Sequence, residues 1–148
     1  MENVRELFQV MTRRFGLLNK NCCQVGGTEI SVVQSHILYE LLRRSKPSMQ
    51  QVAETLGMDI TTFSRQIQTL VKMELVVKSS LPEDKRVSQL SLTTQGKYVA
   101  AKIDEDMNQY LNEVFANMSD FERDMVLKSI QLLNEAMSKS SVCCKPLT

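Results

Sequence analysis

The sequence predicts a mainly α-helical fold with one small β-hairpin. Two patterns lead to this prediction. Apolar residues recur at three- and four-residue steps through six segments, as is typical of amphipathic helices. Between the fourth and fifth segments the period changes to two, in residues 75–77 and 89–93, and the polar stretch SSLPEDKRVS separates these two short runs. The local capping and turn residues then place each element along the chain.

The bulk composition is that of one globular domain rather than of a disordered chain. The 148 residues are 43% hydrophobic and 24% charged, and a chain of this length buries a core without disulfides. Charged residues interrupt the apolar N-terminus, and no apolar run reaches membrane-spanning length. We therefore expect a cytoplasmic protein with no membrane partner, whose four cysteines are thiols at rest.

Two helices are predicted in the N-terminal third. The first should end near Asn21, before Gly26 and Gly27. Its apolar stripe is Val4, Leu7, Phe8, Met11, Phe15 and Leu18. The second should run from about Thr28 to Arg44 and is closed by the following Lys-Pro pair. Its apolar stripe is Ile30, Val33, Ile37, Leu38, Leu41 and Leu42.

Two shorter helices follow, joined by a tight glycine turn. Ser48 and Gln51 have the spacing of a capping box, and Gly57 stops this helix. Asp59 caps the next helix. The predicted buried stripe of that helix is Ile60, Phe63, Ile67, Leu70 and Val71. Together the two helices are a helix-turn-helix candidate, and the β-hairpin after them is a candidate wing with a long, exposed tip.

Two longer helices complete the chain. One runs from Thr94 to about Asn117, and a capping box at Ser119 and Glu122 opens the other. The stripe of the last helix is Phe121, Met125, Val126, Ile130, Leu133 and Met137. Residues 101–124 contain seven acidic and two basic side chains, a net charge of −5 in a chain whose total is +1. This acidic part should face away from whatever the basic remainder binds.

The outward face of the helix after Asp59 has the chemistry of a DNA-binding surface. Arginine pairs with guanine, glutamine pairs with adenine, and threonine contacts a thymine methyl group or a phosphate. Lys85 and Arg86 at the wing tip are placed to reach a neighbouring groove. A polar outer face on an isolated helix is simply solvated, but the turn, the cap and the basic hairpin together favour DNA binding. The predicted helix contacts are Thr61, Thr62, Ser64, Arg65, Gln66, Gln68 and Lys72.

The run TTFSRQIQTLVKMELVVKSSLPEDKRVSQLSLTTQGK resembles the MarR family of winged-helix regulators. It shares a recognition helix that turns into a wing, and a wing of the form proline-acid-Asp-basic-Arg leading to Leu-Thr and a glycine. The matching residues are Pro82, Glu83, Asp84, Lys85, Arg86, Leu92, Thr93 and Gly96. The order of helices also fits, so the resemblance extends over essentially the whole chain. One departure is Glu74, where the family commonly has glycine; a positive φ there would cost about 1 kcal/mol.

The resemblance implies a winged helix-turn-helix domain, residues 31–93, and a helical dimerisation domain, residues 1–30 and 94–148. It implies a homodimer that binds double-stranded DNA at a near-palindromic site, as a repressor released by a small inducer. Release would follow from a change in the spacing of the two recognition helices. It also implies that Arg86 enters a minor groove and that Asp84 orients it by a salt bridge. The alternative for this pair is a surface ion pair of little energetic value.

The cysteines occur as two adjacent pairs, Cys22 with Cys23 and Cys143 with Cys144. We expect the first pair at the end of the first helix and the second beyond the last helix, two helices that the resemblance brings together. Converging thiolates would suit arsenite or another soft metal or metalloid, whereas the spacing does not match a zinc finger and His36 has no second histidine. Thiol oxidation and simple packing are the alternatives. No cofactor is required.

Two alternatives remain open at this point, and an enzyme is not expected. The inducer could be a small aromatic or lipophilic molecule bound between the dimerisation and DNA-binding parts. The winged helix could be a protein-docking module instead of a DNA-binding domain. An enzyme has little support, because the sequence offers one histidine, no constellation of nucleophile, histidine and acid, and no phosphate-binding glycine loop.

Overall fold

The computed structural model describes residues 3–16 and 21–140. The predicted mainly helical fold with a small β-hairpin wing is confirmed. None of the helices in these residues is both long and apolar enough to cross a membrane. The helices are α1 (Val4–Phe15), α2 (Val32–Arg43), α3 (Met49–Thr55), α4 (Ile60–Lys72), α5 (Thr94–Phe115) and α6 (Asp120–Ser138). The strands are β1 (Asn21–Val25), β2 (Thr28–Ser31), β3 (Val76–Ser80) and β4 (Ser88–Leu92).

Helix α1 is shorter than predicted. It ends at Phe15 and not near Asn21, because Gly16 adopts the left-handed conformation with φ 86°. The Gly16 N–H donates to carbonyl oxygens of the last turn, which is a common way for glycine to end a helix. The predicted stripe member Leu18 lies outside the described residues.

A β-hairpin that the sequence analysis missed separates α1 from α2. Strands β1 and β2 pair antiparallel, and the two residues between them, Gly26 and Gly27, have φ of 55° and 83°. A two-residue hairpin turn of type I′ needs positive φ at both positions, which glycine provides without strain. The predicted start of the second helix at Thr28 was therefore wrong, and Ile30 is buried on β2 instead. Helix α2 begins at Val32.

The core lies where α2, α3 and α4 meet the two hairpins and the first half of α5. The largest fully buried side chains are Phe63, Ile30, Ile37, Leu38, Ile67, Leu70, Leu90, Val52 and Val99. On α2 and α4, four predicted members of the apolar stripes are instead exposed. They are Val33, Leu42, Ile60 and Val71. On α4 the buried stripe is narrower than the apolar pattern, because this helix packs on one side only, against α3 and β3.

Helices α1 and α6 contribute nothing to this core. Neither contains a buried residue within the described chain. On α1 the side chains of Leu7 and Met11 are 50% and 54% exposed, and on α6 those of Phe121 and Leu132 are 77% and 67% exposed. A single chain therefore leaves two long amphipathic helices with their apolar residues in contact with water.

Candidate nucleic-acid interface

Helix α3 is anchored both at its own N-terminus and to the wing. The predicted capping box is present: the Gln51 N–H donates to Ser48 Oγ at 3.1 Å, and the Ser48 N–H donates to Gln51 Oε1 at 2.9 Å. Ser48 also forms a β-bridge with Gln89, and the Leu90 N–H donates to the Pro47 carbonyl at 2.9 Å. The first helix of the helix-turn-helix is thereby held directly against strand β4.

The N-terminus of α4 is capped by Asp59, as predicted. Its Oδ1 accepts from the Thr62 N–H at 2.9 Å, and its Oδ2 accepts from the Thr62 hydroxyl at 2.7 Å. These hydrogen bonds, first of all the one from the Thr62 side chain, lower the pKa of Asp59 below the usual 3.8. The carboxylate is therefore ionised at neutral pH, and the only hydroxyl proton of Thr62 is already used.

The polar face of α4 points away from the core. Of the predicted contacts, Thr61, Thr62, Arg65, Gln68 and Lys72 are exposed, whereas Ser64 and Gln66 are half-buried. Three further residues of this helix are exposed and were not predicted as surface. They are Ile60, at the first position of the helix, Val71, and Thr69, whose hydroxyl donates to the Arg65 carbonyl at 3.2 Å. Helix α4 itself carries no acidic side chain. Its solvent face is therefore chemically suited to a polyanion.

Helix α4 ends in a left-handed residue that turns the chain into the wing. Glu74 has φ 60°, so the positive φ considered for this position is present. The Glu74 N–H donates to the Val71 carbonyl and the Leu75 N–H to the Leu70 carbonyl, both at 3.0 Å. This pair of bonds is a Schellman motif, and Leu75 and Leu70 are both buried beneath it. Glutamate thus occupies a conformation that favours glycine.

The wing is a regular two-stranded hairpin with a structured tip. Strands β3 and β4 pair in register from Val76 opposite Leu92 to Ser80 opposite Ser88. Across the tip, the Leu81 N–H donates to the Val87 carbonyl at 3.0 Å. The tip is therefore an ordered turn rather than a free loop.

Asp84 and Arg86 form the ion pair that the resemblance implied. Arg86 Nε lies 3.3 Å from Asp84 Oδ1, and the Arg86 backbone N–H donates to the same oxygen at 3.0 Å. The Arg86 side chain is 92% exposed, so the pair itself adds little stability. Lys85 is exposed beside it. The carboxylate shapes the turn that carries both cations, while the role of the three residues in DNA binding remains a prediction.

The base of the wing is locked to α4 and α5. The Thr93 hydroxyl donates to the Glu74 carbonyl at 2.7 Å and accepts from the Gly96 N–H at 2.8 Å. The Thr93 N–H donates to the Leu75 carbonyl at 3.0 Å. A β-carbon on Gly96 would overlap the Leu75 carbonyl oxygen and come within 2.9 Å of its carbon. Threonine is needed at position 93 to cap the helix, and glycine is needed three residues later because a β-carbon does not fit against Leu75.

The first cysteine pair is not at the end of a helix. Cys22 and Cys23 lie in strand β1, and Cys23 pairs with Ile30 of β2, so the expected helix-end position was wrong. Cys143 and Cys144 lie outside the described residues. Among the side chains that the structure describes, in residues 3–16 and 24–140, no group of three or more His, Cys, Asp or Glu could hold a metal ion.

A cavity of about 590 Å³ opens between α2, α5 and the end of α1. Its volume lies in the range of small-molecule sites. The walls are largely apolar and include Leu38, Tyr39, Ile103 and Met107, and His36 is among the polar residues that line it. Helix α2 belongs to the predicted DNA-binding domain and α5 to the predicted dimerisation domain. The cavity thus lies at the junction of the two.

The chain was compared with protein families and with individual proteins. The MarR family profile matches residues 30–88. The "Uncharacterized HTH-type transcriptional regulator YxaD" of Bacillus subtilis (strain 168) is 29% identical over 125 residues, which cover 84% of this chain and 85% of YxaD.

Two solved structures share the fold at low identity. Streptococcus pneumoniae FabT, crystallised in complex with DNA, is 16% identical, with a TM-score of 0.80 over 90% of this chain and 94% of FabT. PcaV of Streptomyces coelicolor, in complex with its natural ligand, is 20% identical, with a TM-score of 0.70 over 90% of this chain and 93% of PcaV. These matches agree with the capped helix-turn-helix, the wing and the flanking helices described above. Residues 30–88 therefore match the MarR family, and the chain shares the winged-helix fold of these solved structures.

Proposed function

We propose that the protein is a homodimeric repressor that binds a near-palindromic site in double-stranded DNA and is released by a small inducer. The observation that carries the proposal is the outward face of α4, which is polar, free of acidic residues and joined rigidly to a wing with Arg86 at its tip. FabT, which shares the fold, was crystallised with DNA. In this arrangement α4 lies in a major groove and the wing contacts the adjacent minor groove.

Dimerisation is supported by the apolar residues that the single chain leaves uncovered. At about 100° per residue, Phe121, Met125 and Leu132 lie on one side of α6, and Ile130 and Met137 lie on the opposite side. A helix that is apolar on two sides is stable when it is enclosed between two partners. We propose that a second copy covers one side of α6 together with the exposed face of α1.

A small-molecule inducer is supported by the cavity between α2 and α5. A ligand changes the spacing of the two recognition helices only if its affinity for the protein differs between the two spacings. A cavity between the DNA-binding and dimerisation parts changes shape when these parts move, which gives a ligand that difference in affinity. PcaV, with the same fold, was crystallised with its natural ligand. An aromatic or lipophilic molecule fits the walls, in which Tyr39 and Met107 participate.

Sensing by the cysteines is the second candidate for regulation. Strand β1, which holds Cys22 and Cys23, packs against α2 and α5, the two helices that border the cavity. A soft ion bound there, or oxidation of these thiols, would act on the same junction. Two observations would distinguish this candidate from an organic inducer. One is the binding of an arsenite-like ion by the thiols, and the other is a disulfide that joins Cys22 or Cys23 to Cys143 or Cys144.

The test of the proposed function is DNA binding by the full chain. Duplexes selected from a random pool are bound by the wild type, and binding is measured against salt concentration. Replacing Arg65 or Arg86 with alanine should weaken binding and lower the salt dependence, because each arginine displaces counterions from DNA. Arg123→Ala on α6 is the matched control and should leave both unchanged.

Two results would contradict the proposal. A wild-type protein that binds no duplex at low salt would be a docking module and not a DNA-binding regulator. Unchanged binding in both arginine variants would show that DNA contacts a different surface. Adding arsenite, peroxide or aromatic acids to the bound complex, with Cys22→Ser and Cys23→Ser as controls, separates the two candidate inducer classes.

A further inference from the structure

We propose that sequence is read by one row of three side chains on α4, Thr61, Arg65 and Gln68, and that the other predicted contacts do not discriminate between bases. The proposal rests on DNA binding by α4 as proposed above. It assigns a thymine, a guanine and an adenine, within about four consecutive base pairs, to each half-site.

The spacing of the row matches the spacing of bases. Positions four and three apart lie on one line along a helix. With about 1.5 Å of rise per residue, the row from Thr61 to Gln68 spans about 10 Å. Bases along one strand are about 3.4 Å apart, so the row covers about three steps. All three side chains are exposed.

The polar groups of the row are available. Among the described residues, neither the guanidinium of Arg65 nor the amide of Gln68 has a hydrogen-bond partner. A guanidinium donates two parallel hydrogen bonds to guanine O6 and N7, and a glutamine amide pairs in the same way with adenine N6 and N7. The methyl group of Thr61 fits against the thymine methyl group. Each pairing depends on groups that the fold leaves unused.

The remaining predicted contacts are occupied or displaced. The Thr62 hydroxyl donates its proton to Asp59. Ser64 and Gln66 are half-buried on the flanks of the helix, turned toward its own domain. Lys72 is exposed and, four residues after Gln68, continues the same line. We assign it to a phosphate and not to a base, because it is a flexible point charge in the last turn of the helix.

Two glutamines on the same helix provide a matched test. A site selected by the wild type is varied one base pair at a time, and binding is measured for Gln68→Ala and Gln66→Ala. Gln68→Ala should reduce the preference for adenine at one position by about tenfold, because a bidentate pair is lost, and leave the other positions unchanged. Gln66→Ala should retain the wild-type preferences at every position.

A second variant predicts a change of preference and not only a loss. In Gln68→Glu the carboxylate accepts from cytosine N4, so the preferred base at that position should change from adenine to cytosine. For Thr61, replacing thymine with deoxyuridine removes only the methyl group. The wild type should lose affinity on this duplex, whereas Thr61→Ser should bind both duplexes equally.

The outcomes separate this proposal from the proposed function. If the wild type selects a site but Gln66→Ala relaxes it while Gln68→Ala does not, the assigned row is wrong and DNA binding stands. If Gln68→Glu folds, as judged by its thermal unfolding, and still prefers adenine, the row is also wrong. If the wild type selects no sequence at all, the proposed function itself fails.

Discussion

The hydroxyl of Thr93 donates a 2.7 Å hydrogen bond to the backbone carbonyl of Glu74, across the base of the wing. Glu74 ends the turn after α4, and Thr93 caps α5. One side chain therefore connects the recognition helix, the wing and the long helix that leads to the predicted dimerisation domain. This bond and the packing of Gly96 on Leu75 connect α5 to the end of α4.

Gly96→Ala should destabilise the protein. A methyl group at this position overlaps the Leu75 carbonyl, which is backbone and cannot rotate away. Overpacking of this kind costs about 1–3 kcal/mol, and each kcal/mol lowers the melting temperature of a domain of this size by about 2–4 °C. Thermal unfolding followed by circular dichroism measures the change. Replacing the exposed neighbour Lys97 with alanine is the control, and equal stability of the two variants would contradict the packing argument.

Glu74→Gly should stabilise the protein by about 1 kcal/mol, because glycine adopts φ 60° without the cost that a β-carbon imposes. Urea unfolding should show a higher midpoint with an unchanged slope. Glu74→Ala removes the same carboxylate but retains a β-carbon. If the alanine variant gains as much stability as the glycine variant, the gain comes from charge and not from backbone strain.

Asp84→Asn should weaken DNA binding by up to about fivefold, the range of an exposed ion pair. Loss of a negative charge near DNA would by itself strengthen binding. A weaker binding of Asp84→Asn would therefore show that the lost orientation of Arg86 outweighs the removed charge. Asparagine keeps an oxygen for the Arg86 N–H, so the turn is preserved. The control is Glu83→Gln, an exposed acid at the same tip, which should bind equally or more tightly. Tighter binding by both variants would rule out the orienting role.

The capping carboxylate of Asp59 should make stability depend on acid pH. Its pKa is lowered in the folded state, so the ionised form contributes stability above the unfolded-state pKa of 3.8, and that contribution is lost as the pH falls through the folded-state pKa. The difference in unfolding free energy between wild type and Asp59→Asn should be constant above about pH 5 and should shrink below pH 3.8. A difference that does not vary with pH would contradict this assignment.

Leu132→Glu should convert a dimer into monomers. Leu132 is 67% exposed in the single chain, and a carboxylate there cannot be buried at low cost against a second copy. Sedimentation measures the mass. Tyr98→Glu, at a 60% exposed position on α5, is the control and should leave the mass unchanged. A monomeric wild type would contradict the proposed dimer directly.

Local sequence signals predicted most of the fold because caps and turns depend on neighbouring residues. Both predicted capping boxes are present, and Asp59 caps α4. The hairpin at Gly26 and Gly27 was missed although its signal is also local, because the glycine pair was interpreted as the break after the first helix and Thr28 as the start of the second. The family resemblance then supplied the ion pair of Asp84 with Arg86.

By itself, the sequence determined the order of the elements, the outward face of α4 and the wing, because helical and strand periods place residues on faces. Only the tertiary structure decided how much of each face is covered. In the folded chain Ile60 and Val71 are exposed, Gln66 is half-buried and Gln68 is exposed. The reason is that α4 packs against α3 and β3 on one side only. A periodic pattern identifies a face, but the width of its buried strip depends on neighbours that are distant in sequence.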